Sequence, residues 1–187
     1  KCITLKHPEK REKMTYAEEL DYIVSHEKRN TFLCDLLHHL NGNTLCLFQL
    51  VEKHGKVLYE RMKGKENVYF VYGATSAEQR EEIRGIVDNS TLSTTIASYG
   101  TFSTGINIRN INNIVLASPS KSKIRVLQSI GRGLRTSSSK NSILVFDIAD
   151  DISYKGRYNF TLNHFFERLN IYNEEQFNYE LSKVKIK

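Results

Sequence analysis

A chain of 187 residues has room for one domain of ordinary size with a small appendage, but not for two full domains. Its composition, 40% hydrophobic and 26% charged with two prolines and ten glycines, excludes a disordered tail or a fibrous repeat as the main structure, and its broken apolar runs are too short for a membrane span or a secretory signal. The net charge of +6 is a modest bias shared by many proteins without nucleic-acid partners, so its placement along the chain carries more information than its size.

Taken in chain order, Tyr16–Ser25 and Lys28–Leu40 carry helical patterns ahead of the first strand. Cys34 and His38 share a face of the second helix at i and i+4, but two ligands are too few for a metal, and a buried thiol is the preferred reading. Cys2, Cys34 and Cys46 form no C-x-x-C pair; an odd count with wide spacing fits a reducing compartment, and a soluble cytoplasmic protein is expected. Asn41-Gly42-Asn43 supplies a helix stop before a strand at Thr44–Phe48. A helix at Val51–Met62, a strand at Val68–Tyr72, a turn at Gly73 and a helix at Ser76–Val87 with Ser76 as its N-cap follow.

Strands at Thr94–Tyr99 and Asn113–Ala117, a helix at Lys123–Arg135, a serine-rich connection at Thr136–Asn141 and a strand at Ser142–Phe146 complete the pattern. Nearly continuous apolar character in these strands, alternating with helices, predicts an α/β fold with an open parallel sheet covered on both faces. Beyond Asp151 the rhythm changes, and Phe160–Leu169 and Glu174–Val184 predict two helices of a C-terminal helical appendage, with Phe165, Phe166, Phe177 and Tyr179 read as packing residues, and stacking on bases as the alternative. The expected division is residues 1–26 as linker and leading helix, 27–150 as the main domain and 151–187 as the appendage.

Between Asp88 and Asp147 no acidic residue occurs, while Arg109, Lys121, Lys123, Arg125, Arg132, Arg135 and Lys140 all fall in that interval. This reads either as a solvated basic face or as a surface that handles phosphate. Two stretches inside it favour phosphate. In Gln128-Ser129-Ile130-Gly131-Arg132-Gly133-Leu134-Arg135, positions 128, 132 and 135 lie within about 60° on a helix, and Ile124, Leu127, Ile130 and Leu134 gather on a neighbouring face. Gly131 and Gly133 each cost about 1 kcal/mol of helix stability relative to alanine, which makes sense where backbone or ligand must approach closely. Two guanidiniums a turn apart suit bidentate capture of phosphate oxygens. The other stretch, Ser98 to Asn107 (S-Y-G-T-F-S-T-G-I-N), lies at the end of a buried strand, where open α/β sheets bind ligands and where glycines and hydroxyls can meet phosphate.

These residues resemble the second RecA-like domain of superfamily-two helicases and DNA translocases. The strand Thr44–Phe48, the Tyr72-Gly73 turn, the S-Y-G-T-F-S-T-G-I-N loop and the Q-S-I-G-R-G-L-R run are similar to that family's motifs IV, V and VI, and Asn107 stands where RNA helicases usually carry aspartate. The whole chain resembles the phage UvsW-type recombination helicases. The resemblance implies Arg135 as an arginine finger on the ATP γ-phosphate, Arg132 as a second phosphate contact and Gln128 as an orienting partner. It places Gly105 and Asn107 at the nucleotide, and Gly73, Ser98, Tyr99, Thr101, Lys121 and Lys123 near the DNA backbone.

ATP with Mg²⁺ is the implied cofactor. DNA and a first RecA-like domain of the same protein are the implied partners, with no membrane. The sequence holds neither a G-x-x-x-x-G-K-[ST] loop nor a D-E-x-[DH] box. The chain by itself is therefore expected to be inactive in ATP hydrolysis, and its start at Lys1 suggests a processed product or an excised piece. The implied work is unwinding of branched DNA and R-loops and branch migration in phage recombination, replication and repair, in the host bacterial cytoplasm. A duplex translocase of the restriction or chromatin-remodelling type, and a non-catalytic nucleic-acid-binding module with this fold, are the alternatives.

Overall fold

The computed structural model describes residues 1–8, 14–103, 110–119 and 142–186. Among them seven strands form a single sheet: β1 (Cys2–Lys6), β2 (Asn43–Phe48), β3 (Val68–Val71), β4 (Ser93–Ser98), β5 (Asn113–Leu116), β6 (Leu144–Asp151) and β7 (Leu181–Lys185). Their order is β3-β4-β2-β5-β6-β1-β7, and every pairing is parallel. The helices are α1 (Tyr16–Ser25), α2 (Glu27–His39), α3 (Lys56–Met62), α4 (Ala77–Asp88), the short α5 (Tyr99–Ser103) and α6 (Phe160–Glu174). None of the described helices is long and apolar enough to cross a membrane.

The central strands are parallel because they are buried on both faces: every residue of β2 and β5 is buried, with no solvent side to generate alternation. The period of two then sorts side chains between the layers. Leu45, Leu47, Ala97, Ile114 and Leu116 pack in one core with Leu162, Phe165 and Tyr172 of α6. Their neighbours Cys46, Phe48, Ile96 and Val115 pack in the other, with Leu33 and Leu37 of α2 and Leu58 and Met62 of α3. Burial pushes the Cys34 thiol up to about 11 and the Cys46 thiol higher still, so both behave as small apolar groups. His38 turns its Nδ1 to the Cys34 carbonyl at 2.7 Å.

The predicted boundaries hold where local chemistry marks them. Ser76 caps α4, accepting from the Gln79 N–H while Gln79 reaches back to Ser76, and Gly42 takes a left-handed φ of 84° between α2 and β2. Four features depart from expectation. The segment Cys2–Lys6 is a strand inserted between β6 and β7. The helix expected at Glu174–Val184 is absent: α6 runs past Leu169 to Glu174, Gln176 turns left-handed at φ 56°, and Leu181–Lys185 extends as β7.

The cause is the open edge of β1. The Cys2 N–H donates to the Glu180 carbonyl at 2.8 Å, and the alternating L-S-K-V-K run can pair there strand to strand, whereas a helix would leave that edge bare. Residues 1–26 and 151–187 therefore each give a strand to the sheet, and the tail is not purely helical. Third, β6 runs on to Asp151 rather than ending at Phe146, because Asp147 and Asp150 are buried with cationic partners. Finally, the helix expected from Val51 begins as a π-helical turn at Val51–Gly55.

That turn depends on a missing side chain. A Cβ built on Gly55 would lie 2.4 Å from the Phe48 ring, and the ring is fully buried. Gly55→Ala is expected to destabilise the chain by about 1–3 kcal/mol through overpacking, read as a lower urea midpoint. A midpoint equal to the unmodified chain would mean that Phe48 has room to move.

Candidate functional site

In an all-parallel sheet every strand ends on the same edge, so the order β3-β4-β2-β5 brings the tips at Gly73, Ser98, Gln49 and Ser118 side by side. Each tip is fixed by its own short-range chemistry. At Gly73, Arg80 of α4 folds back on the turn: its Nη2 donates to the Gly73 carbonyl at 3.2 Å and its Nε to the Thr75 carbonyl at 2.9 Å. Gly73 is exposed, and a Cβ there would meet nothing within 4 Å.

At the end of β4, the Ser98 hydroxyl accepts from the Thr101 N–H at 3.3 Å and lies 2.6 Å from the Thr101 hydroxyl, closing the first turn of α5. Thr101 is buried, and so is Tyr99, whose hydroxyl donates to the Ser118 carbonyl at 3.2 Å. Burial, with the Asp147 carboxylate nearby, pushes the Tyr99 phenol well above its ordinary value, so it stays a neutral donor. The side chains of Tyr99 and Thr101, expected at a nucleic-acid backbone, thus face the interior and serve the loop's shape. Half-buried Ser98 and exposed Gly100 are what this loop presents outward.

Ser118 joins the tips. Fully buried at the end of β5, its hydroxyl accepts from the Gln49 N–H at 3.1 Å and lies 2.7 Å from His54 Nδ1, while its carbonyl takes the Tyr99 bond. One residue therefore ties the ends of β2, β4 and β5. Sequence reasoning missed both Ser118 and His54. A serine in A-S-P-S and a histidine after a strand have no local pattern that separates them from surface residues; only the sheet order brings them together.

Further along the same edge, below the ends of β5, β6 and β1, a buried polar cluster holds α1 and α2 to the sheet. Arg29 Nε donates to Asp150 Oδ1 at 2.7 Å, and its Nη2 donates to Asp150 Oδ2 at 3.0 Å and to the Ala117 carbonyl at 2.7 Å. His7 Nε2 lies 2.9 Å from Asp150 Oδ1. Burial would raise the Asp150 carboxyl, but the Arg29 charge and the hydrogen bonds from His7 and Arg29 outweigh it and hold the group below the carboxylate range. On the opposite face of β6, Asp147 takes two bonds from Arg168 of α6, at 2.7 and 3.0 Å, and one from the Tyr172 hydroxyl at 2.7 Å.

Gly105, Asn107, Gln128, Arg132 and Arg135 lie outside the described residues, as do Arg109, Lys121, Lys123, Arg125 and Lys140. What the structure fixes is where their segments start. The Ser98–Asn107 loop leaves the tip of β4, and the segment carrying Gln128, Arg132 and Arg135 leaves the tip of β5, two strands away on the same edge.

Comparison with known proteins places this architecture. The family described as helicase conserved C-terminal domain matches residues 28–137. The ATP-dependent DNA helicase uvsW of Enterobacteria phage T4 is 35% identical over 186 residues, covering 92% of this chain; the chain spans only 37% of that relative's length. The crystal structure of T4 UvsW superposes with a TM-score of 0.87 at 34% identity, over 100% of this chain and 41% of that one. The E. coli DEAD-box protein SrmB superposes with a TM-score of 0.58 at 12% identity, over 97% of this chain and 87% of that one, a likeness of fold alone.

Proposed function

The chain belongs to the helicase conserved C-terminal domain family, and from that premise we propose that it is the second RecA-like motor domain of an ATP-dependent DNA helicase. The observation that carries the reading is the common origin, on one carboxyl edge, of the two segments whose residues match the family's nucleotide and DNA motifs. Likeness to the T4 helicase through both sequence and structure supports it.

In this proposal Arg135 and Arg132 reach from the segment after β5 toward the phosphates of a nucleotide held mainly by a first RecA-like domain, with Gln128 orienting them. Gly105 and Asn107 line the near side of that nucleotide. ATP supplies the phosphoryl group whose transfer drives the motor. Mg²⁺ is assigned, with most of the nucleotide, to the first domain, because the sequence here holds neither a G-x-x-x-x-G-K-[ST] loop nor a D-E-x-[DH] box. DNA runs past the tips of β3 and β4, where Gly73, Ser98 and the backbone at Gly100 face outward, with Lys121 and Lys123 assigned to its phosphates. Such contacts are salt-sensitive and largely blind to sequence, as a translocating enzyme needs. The Ser118 junction gives this edge a common frame, so that movement at the nucleotide is felt at the DNA tips. Unwinding of branched DNA and R-loops, and branch migration, are the tasks proposed for the whole motor.

Steady-state ATP turnover tests the reading. The 187-residue chain is expected at background with or without DNA, and a protein that joins it to a first RecA-like domain is expected to show DNA-stimulated turnover. Robust turnover by the chain alone, or none from the joined protein, would overturn it.

A further inference from the structure

After β6 the chain makes a tight two-residue turn. Tyr154 and Arg157 exchange both backbone hydrogen bonds, at 3.1 and 3.0 Å, and Lys155 and Gly156 take left-handed φ values of 46° and 78°. This tip and the start of α6 enclose an open cavity of about 570 Å³, whose lining includes Met14, Ile152, Lys155, Arg157, Tyr158 and Phe160. Three aromatic rings are exposed here. Tyr158 is 62% exposed, Phe160 44% and Phe166 38%, with Tyr158 and Phe166 meeting edge to face at 5.1 Å.

The electrostatics are one-sided. The Lys155 ammonium sits 5.1 Å over the Tyr154 ring, and among the described residues neither Lys155 nor Arg157 has a carboxylate partner. The cavity's own acid, Glu19, is buried and already saturated: Oε1 accepts from Asn159 Nδ2 at 2.9 Å and the Thr161 N–H at 2.6 Å, and Oε2 from the Phe160 N–H at 2.9 Å. Asp151, the last residue of β6, accepts from the Ser153 N–H at 3.1 Å. The site therefore offers bare ring faces rimmed by two cations.

The geometry points to this groove as a binding site for a single strand of nucleic acid, with an unpaired base stacked on Tyr158 and flanking phosphates on Lys155 and Arg157. Rings and cations interleaved in this way match a chain that alternates bases and phosphates, and only an unpaired base has a face free to stack. A purely apolar protein segment would leave both cations unanswered. The groove also lies on the carboxyl edge. From β4 to β6 there are three inter-strand steps of about 4.8 Å, so the site stands about 14 Å along the edge from the Ser98 loop, within reach of a strand a few nucleotides long. The inference deepens the proposed DNA-handling role, and rests on it only for the identity of the strand.

The test is fluorescence anisotropy of the 187-residue chain with a labelled oligo-dT of about a dozen nucleotides, with a duplex of equal length as control. Tyr158→Ala should weaken single-strand binding by about fivefold or more while Tyr158→Phe retains it. Lys155→Glu and Arg157→Glu, both at exposed positions, should weaken it and flatten its dependence on log salt by about 0.7 for each phosphate no longer neutralised. An oligonucleotide carrying 5-iododeoxyuridine should photo-crosslink to Tyr158, Phe160 or Phe166, read by mass spectrometry. Unchanged urea midpoints separate these losses from unfolding. Affinities within twofold of the unmodified chain, crosslinks confined to other segments, or no binding by the unmodified chain each overturn the groove. The motor reading is judged separately, by ATP turnover of the joined protein.

Discussion

Arg135→Ala, placed in a protein that joins this chain to a first RecA-like domain, is expected to lower the turnover number for ATP by about 10³-fold or more, with little change in folding midpoint. The size follows from the arginine-finger role proposed for this residue. Charge develops on the transferring phosphoryl oxygens in the transition state, and a pre-positioned guanidinium opposes it in a cleft from which water is excluded. Because this interaction strengthens in the transition state, turnover falls much more than the KM for ATP changes. Arg135→Lys should recover little, since a point charge cannot reproduce the planar fork. Arg132→Ala is expected to cost less and to raise KM as well, as befits a contact made already in the ground state. A fall of less than tenfold for Arg135→Ala would remove it from the γ-phosphate, and comparable losses for Lys140→Ala would show that only bulk positive charge matters.

Much of the fold was readable because the central strands advertise themselves. β2, β4 and β5 are short runs of apolar and β-branched residues bounded by turn signals, and their burial on both faces leaves no alternation to misread. Helices with capping boxes, such as α4 behind Ser76, were placed to within a residue. What stayed hidden depends on partners far away in sequence. The run Cys2–Lys6 becomes a strand because β6 and β7 lie on either side of it, and Leu181–Lys185 because β1 would otherwise be an open edge. β6 looked finished at Phe146 because aspartates at 147 and 150 read as surface, although the guanidiniums that neutralise them come from residues 168 and 29. At the candidate site, the glycines and hydroxyls of the Ser98 loop were visible in the sequence. The inward orientation of Tyr99 and Thr101 was not, because a hydroxyl side chain reads alike whether it bonds a ligand or, as here, Ser118 for Tyr99 and Ser98 for Thr101.

The same long-range pairing leads to the largest expected effect on stability. Arg29→Met is expected to cost about 3–5 kcal/mol, measured by urea unfolding at neutral pH, because it strips the buried Asp150 carboxylate of its guanidinium and the Ala117 carbonyl of a donor. Arg29→Met with Asp150→Leu should cost less than the single change, since no uncompensated charge is then buried, although His7 Nε2 loses its partner. The pH dependence gives a sharper sign. In the unmodified chain Asp150 is held below its ordinary 3.8, so its contribution is present above that value and is lost as pH falls toward the folded-state value.

Without Arg29 the burial that tends to raise the carboxyl loses its largest opposing charge, and only His7, through its hydrogen bond and its weaker charge effect, still opposes it. The folded chain then binds a proton that the unfolded chain releases, and stability must fall as pH rises above about 4. The unmodified chain and the Arg29→Met variant are therefore expected to diverge in urea midpoint between about pH 4 and pH 7, with the variant sloping downward. Parallel curves for the two would mean that water or His7 already neutralises Asp150, and that the guanidinium at its side contributes shape rather than charge.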